Sequence, residues 1–306
     1  MTPRLTLGPI PFHWSAEKKR DFYARVADEA PIDTVYLGEV ICSKRAPFFE
    51  PHYGDVADRL HRAGKTVVFS SLAEILVKRE RNAMQAFVDL EGYEVELNNA
   101  AGLFGINGRP HRIGQFLNVY NAETLSHFAD RGATHVCLPV ELPSISAALV
   151  ADTASARGVG VEVQVFGRAS LAVSARCYHA RAHGRTKDNC QFVCEEDPDG
   201  MALTTQNDQP FLRINGIQTM SHSYINLVED LPAMIQMGIT DFRLSPQDVD
   251  MVAVAKIFAD ALSGRCAPQT ASENLDALEL DAPFSNGFWH GQAGHRRIAA
   301  MSRNLE

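Results

Sequence analysis

A chain of 306 residues with 45% hydrophobic and 22% charged residues has ordinary globular composition, enough for one large core or two modest ones. Its net charge of −8 argues against a protein that grips nucleic acid along its phosphates, although a local basic patch is compatible with it. The N-terminus, MTPRLTLGPIPFHW, lacks the apolar core of a signal peptide, and nowhere do 18 apolar residues run together, so neither export nor a transmembrane helix is expected. The expected compartment is therefore the reducing cytoplasm, where six cysteines read as metal ligands or buried thiols more readily than as disulfides.

Along the chain one pattern recurs: a short β-branched run, a loop, an amphipathic helix. Leu5 to Leu7 opens it. A helix follows from about Ala16, with Ser15 as N-cap, Phe22, Tyr23, Val26 and Ala27 on one face, and Pro31 as the stop. The second strand is Thr34 to Leu37, with a helix over Gly54 to Arg62. The third is Thr66 to Phe69, with a helix from about Val77 to Leu90. A short fourth strand near Val95 leads into Asn98 and Asn99. Gln115 to Tyr120 reads as the fifth, followed by a helix capped by Asn121, burying Leu125, Phe128 and Ala129 and stopped by Gly132.

The sixth strand is His135 to Leu138, with a helix from about Ile145 to Ala156, and the seventh is Val161 to Phe166. The rhythm then breaks for a long stretch that holds SARCYHARAHGRTKDNCQFVC and FLRINGIQTMS. It resumes with a helix near Asn226 to Met237, an eighth strand at Asp241 to Leu244, and a helix capped by Ser245-Pro246 and stopped by Gly264. Eight strands alternating with helices predict an α/β fold, a (β/α)8 TIM-like barrel. An open doubly wound sheet would carry a Gly-rich phosphate loop after its first strand, and GPIPFHW is not one. The barrel is expected over residues 1–264, with a cysteine-bearing insertion at about 167–225 after the seventh strand. Residues 265–306 are expected to form an irregular tail packing on the barrel or on a partner.

Cys42 follows the second strand; Cys177, Cys190 and Cys194 lie in the insertion. In a closed barrel the strand-to-helix loops open on one rim, and the seventh and second strands are separated there only by the eighth and first. Four thiolates can therefore meet and hold an iron–sulfur cluster or a zinc ion. The spacing is neither that of a zinc ribbon nor of a ferredoxin, but Cys190 and Cys194 sit among charged residues, poor company for core thiols. Cys137, mid-strand, and Cys266, in the tail, read as ordinary buried or tail thiols. His179 and His183 could complete a mixed zinc site, but in a polar loop they read more simply as solvated.

The segments YLGEVICSKR, PVELP, SARCYHARAHGRTKDNCQFVC, INGIQTMS and FRLSPQ resemble the UbiV branch of the collagenase-like peptidase superfamily, proteins of ubiquinone biosynthesis. The resemblance implies a [4Fe-4S] cluster on Cys42, Cys177, Cys190 and Cys194. It also implies a heterodimer with a UbiU-like sister subunit and a role in oxygen-independent hydroxylation of a ubiquinone precursor. A UbiT-like lipid-binding protein would serve the same pathway; related members that hydroxylate RNA bases draw the oxygen atom from prephenate, so a donor of that kind is compatible with the resemblance. The stretch between Cys177 and Cys190 is shorter than the branch leads one to expect, and the tail after Arg265 matches little. Candidate substrate contacts at the strand ends are Glu39, Arg45, Asn118, Tyr120, Glu141 and Arg243, an arginine there being suited to a carboxylate. Arg176, beside Cys177, is expected to tune the cluster. The alternatives are an RNA-hydroxylating or peptidase-like relative, or a non-catalytic metal-stabilised subunit. The chain shows neither an H-E-x-x-H nor a G-x-S-x-G motif.

Overall fold

In the computed structural model, which describes residues 2–299, the β-branched runs become strands and the amphipathic stretches helices. Seven parallel strands follow one another around a ring: β1 (Arg4–Leu7), β2 (Thr34–Leu37), β3 (Thr66–Ser70), β4 (Glu94–Leu97), β5 (His111–Ile113), β6 (Ala133–Cys137) and β7 (Gly160–Val173). Three strands then lie outside it: β8 (Met201–Thr204), β9 (Pro210–Asn215) and β10 (Gln218–Asn226). The ring closes with β11 (Asp241–Leu244), which pairs Phe242 with Leu5 of β1 on one side and with Val163 of β7 on the other. The fold is a closed (β/α)8 barrel, as the alternating rhythm predicts.

The outer helices are α1 (Ala16–Glu29), α2 (Tyr53–Arg62), α3 (Lys78–Val88), α4 (Ala100–Ile106), α5 (Ala122–Ala129) and α6 (Ser144–Ala156). Later in the chain come the short α7 (Tyr178–Ala182), α8 (Leu231–Gln236), α9 (Met251–Leu262) and α10 (Pro268–Asp276). Ser15 caps α1, its hydroxyl accepting the Lys18 N–H at 3.2 Å, and Asn121 caps α5, accepting from Thr124 at 2.8 Å. Such caps are worth about 1 kcal/mol each. Tyr23, Val26 and Ala27 of α1 turn inward against the ring, so the 3.6-residue spacing supplies the barrel's outer core.

Five expectations are corrected. The fifth strand is His111–Ile113, not Gln115 to Tyr120: Gln115–Leu117 is a 3-10 turn and Asn118 is left-handed at φ 55°. The β-like composition of QFLNVY belongs to a loop that lines the barrel mouth. The seventh strand runs on past Phe166 to Val173. It bends at Gly167 (φ 103°), where a Cβ would stand 2.8 Å from Ser245, and then leaves the ring to pair antiparallel with β10. The helix before the last ring strand starts later than Asn226, which ends β10, and α9 is capped by Asp250, not by Ser245-Pro246. The tail is not wholly irregular: α10 buries Ala271 and Leu275, and β12 (Phe284–Ser285) adds to β10. Residues 300–306 of the expected tail, and residue 1 of the expected barrel, lie outside the described residues.

The ring's interior is not the usual stack of aliphatic layers. Arg243 on β11 donates to Glu96 on β4 and Glu162 on β7, and lies 4.0 Å over the Tyr36 ring. Tyr36 donates to Glu162 at 3.0 Å and accepts from Arg112 at 2.9 Å, while Arg112 pairs with Glu94 at 2.6 Å. Buried charges persist only when paired and hydrogen-bonded, and here side chains of β2, β4, β5, β7 and β11 supply one another's partners within the ring.

Candidate functional site

Residues that follow the ring strands converge on the C-terminal rim. A narrow cavity opens there, walled by Pro9, Pro11, Val40, Ile41, Phe116 and Met220 and edged by Asn98, Gln115, Gln164, Gln218 and Arg243. Much of its polar edge is already satisfied. Gln164 donates to the Arg168 carbonyl at 3.1 Å, and Gln218 donates to Ser170 at 2.8 Å. A wider outer pocket shares Gln115, Phe116 and Ser170 with this cavity and contains Asn118, Tyr120 and Glu141. Tyr120 donates to Glu141; burial and that carboxylate push the phenol up to about 12.

A second, tight pocket lies beside the mouth. Cys42, Cys177, Cys190 and Cys194 all line it, with Lys44, Arg45, Lys187, Phe192, Val193 and Gly216. The local sequence explains the convergence. After β2, the Glu39 carboxylate accepts the N–H groups of Ile41 at 3.1 Å and Cys42 at 2.9 Å, which fixes the turn. Cys177 caps α7, its sulfur accepting the Ala180 N–H at 3.4 Å. Between Cys190 and Cys194 the chain reverses through two left-handed residues, Gln191 (φ 50°) and Phe192 (φ 53°). Each costs on the order of 1 kcal/mol or more and persists only where its surroundings impose it. Lys44 ties the β2 loop to the insertion, donating to the carbonyls of Lys187 at 2.7 Å and Asp188 at 3.0 Å.

Val40, Ile41, Ala73, Cys177, Ala180 and Ile217 form a small core of their own under this pocket. Burial pushes the thiols of Cys42, Cys177 and Cys194 up, and the Arg45 guanidinium opposes that at each. Cys137 is buried in the ring and Cys266 packs against the outer core; neither lines the pocket.

His179, His183 and Asp197, on α7 and the following loop, form a metal-capable group whose donor atoms lie within 4.8 Å of one another. His179 is fully buried and meets Asp197 through Nε2 at 2.9 Å, while its Nδ1 faces the Gly216 N–H at 3.5 Å. A histidine that ligates through Nε2 ordinarily donates Nδ1–H to an acceptor. Here a donor faces Nδ1, which favours the tautomer that donates to Asp197.

The rim collects the six candidate substrate residues but does not bring them together. Glu39 is engaged by two backbone N–H groups, Arg45 lies against the sulfur pocket, and Arg243 is held by Glu96 and Glu162. Asn118, Tyr120 and Glu141 remain in the outer pocket. Arg176 is exposed, with its backbone N–H on Ser174 at 3.2 Å, so the arginine beside the sulfurs is Arg45. Sequence reasoning passes over Asn98, Gln164, Asn215 and Gln218. The signal for the last two was present, since INGIQTMS contains them.

A family model described as peptidase family U32 matches residues 15–299. Among solved structures, an uncharacterized B. cereus protein is 11% identical with a TM-score of 0.41, over 80% of this chain and 61% of that one. A truncated 3-deoxy-D-arabino-heptulosonate 7-phosphate synthase from Thermotoga maritima is 8% identical with a TM-score of 0.43, over 93% and 91%. The chain thus spans less than two thirds of the first of these. Likenesses this distant carry neither chemistry nor partners.

Proposed function

The chain belongs to peptidase family U32, and from that premise we propose that it is the iron–sulfur subunit of an oxygen-independent ring hydroxylase in ubiquinone biosynthesis. In this reading Cys42, Cys177, Cys190 and Cys194 hold a [4Fe-4S] cluster, and a UbiU-like sister subunit completes the enzyme. The observation that carries the reading is the shared pocket: four thiols from separate loops, with Arg45, Lys44 and Lys187 beside them. The donor set fits the group, since four thiolates are its usual ligands. Spacing favours a cluster over one zinc ion. No three of these sulfurs lie within 4.8 Å of one another, whereas bonds of about 2.3 Å to a single tetrahedral zinc would hold them roughly 3.8 Å apart.

Hydroxylation without O2 needs an oxygen source and a route for electrons, and side chains do not supply one-electron chemistry. When bound, the cluster would supply that transfer. The protein's own part is to bind and orient. Val40, Ile41, Phe116 and Met220 give the mouth an apolar wall suited to a ring, and the amides of Asn98, Gln115 and Gln218 face its polar edge. A carboxylate donor of the prephenate kind would compete at Arg243 with Glu96 and Glu162. The resemblance adds a UbiT-like lipid-binding protein to the pathway. A peptidase reading has less behind it: among the described residues, the mouth cavity is lined by no histidine and no cysteine. Among the described residues, no helix is long and apolar enough to cross a membrane.

Anaerobic purification with iron and sulfide analysis tests the reading. The wild type should be brown and iron-loaded; Cys177→Ala should lose iron, sulfide and visible absorbance together, and Cys137→Ala should keep them. A colourless wild type with stoichiometric zinc would reject the cluster. Undiminished hydroxylation by Cys177→Ala, co-expressed with the sister subunit, would reject its role.

A further inference from the structure

Among the described residues four arginines are buried, and three of them have carboxylate partners. Arg112 pairs with Glu94, Arg168 with Asp199 and Asp281, and Arg243 with Glu96 and Glu162. Arg45, 2% exposed, is the exception. Its Nη1 donates to the Pro11 carbonyl and its Nη2 to the Asn215 side-chain oxygen, each at 2.9 Å, and both acceptors are neutral. Its Nε has no hydrogen-bond partner, and among the described residues no carboxylate comes within ion-pair distance of it. The nearby Glu39 is engaged by the backbone of Ile41 and Cys42.

A buried guanidinium without a counter-charge is strongly unfavourable, and guanidinium does not neutralise itself by losing a proton. Yet the chain is built to keep it where it is. Gly216, at φ 62°, makes room: a Cβ there would stand 2.5 Å from Nη2. Asn215 is itself braced, donating to the Pro11 carbonyl at 2.7 Å and to Gln218 at 3.1 Å. Beyond Glu39, whose carboxylate is taken up by backbone N–H groups, the potential anions that Arg45 borders are the thiols of the sulfur pocket.

We propose that Arg45 is the built-in counter-charge of the metal–thiolate centre, a positioning residue that raises the centre's reduction potential by stabilising its more negative, reduced form. The inference rests on the cluster reading above. Four thiolates outweigh the positive charge of the core they bind, so the loaded centre is anionic and gains one further negative charge on reduction. A fixed cation beside it favours that step, since net charge and the groups around the sulfurs set cluster potentials.

The test is an anaerobic dithionite titration of the purified full chain, followed by visible and EPR spectra, alongside iron and sulfide analysis. Arg45→Gln should keep iron but need a lower potential for half-reduction, by about tenfold in the oxidised-to-reduced ratio, or about 59 mV for one electron. Arg45→Lys should restore most of the shift. If Arg45→Gln fails to retain iron, Arg45→Lys decides. Iron retained by lysine supports the counter-charge, and equal loss in both overturns it in favour of packing. Full iron with an unmoved potential in Arg45→Gln also overturns it and leaves the cluster reading standing. A wild type without iron removes both.

Discussion

Two regions of this barrel bury charge in opposite ways. Inside the ring, the Arg243 and Arg112 guanidiniums meet the carboxylates of Glu96, Glu162 and Glu94, carried on β4 and β7. Each guanidinium there has a carboxylate partner, although Arg243 Nε itself has no hydrogen bond. On the rim, Arg45 is buried as deeply but ends on two neutral oxygens and a pocket of thiols. The first region holds its counter-charges within the ring; the second, in our proposal, gains its own when the thiols become anions. The contrast separates groups that hold the fold from groups that wait for something to bind, and it does so without appeal to what the protein is for.

The strongest way to break this comparison is to unbalance the ring. Arg243→Met strands Glu96 and Glu162, and the loss of one partner of a buried pair costs about 3–5 kcal/mol. Urea denaturation of the metal-free chain should show that loss as a shifted midpoint. Adding Glu96→Gln and Glu162→Gln to it should recover a large part, because amides do not carry the stranded charge. An Arg243→Met midpoint at the wild-type value would mean that the ring's ions are solvated and that the two regions do not differ.

How far the sequence reached follows the same division. The ring was legible because each strand and helix reports its own periodicity, and Ser15, Asn121 and Gly132 punctuate it locally. Cys42 and the three insertion cysteines were legible as a set because ring closure brings their loops to one rim. Arg45 was visible only as a polar strand-end residue. Its lack of a carboxylate depends on what Asn215, Pro11 and Gly216 do from distant parts of the chain, which no local pattern records. The fifth strand was misplaced because a mouth loop carries a strand's composition. The tail reads as irregular although Pro268 at the start of a helical turn and the Ala271–Leu275 spacing were there to be used.

Acid sharpens the comparison from the rim side. His13 is buried between Phe48 and Phe192 with both ring nitrogens unpartnered. Burial first, then Arg45 and Lys19, lowers its pKa to about 4. The unfolded chain takes up that proton near 6.5 and the folded chain only near 4, so between these values the unfolded state binds more protons. Stability is therefore intact above about 6.5 and falls as pH drops toward 4, by on the order of 3 kcal/mol from this group. His111 and His179 are lowered by burial too, so the total slope is shared. Comparing urea midpoints of the wild type and His13→Phe from about pH 7 to 4.5 isolates the His13 share. Parallel slopes in the two proteins would show that His13 is not a closed, neutral group.

The smallest effect expected is at His183, and its smallness is the point. By residue type and spacing, His179, His183 and Asp197 could hold an ion, and the stacked imidazoles, 5.7 Å apart, look arranged for one. The hydrogen bonds argue otherwise. Gly216 presents a donor to His179 Nδ1, and Asp197 takes up Nε2, so the nitrogen an ion would need carries the proton. His183, exposed on the last turn of a five-residue helix, is then a surface side chain. His183→Ala should leave iron, sulfide and zinc per chain unchanged and move stability by no more than about 0.5 kcal/mol. Loss of one metal equivalent in that variant, with the four cysteines intact, would put a second centre beside the first, and the rim would hold two unfinished sites in place of one.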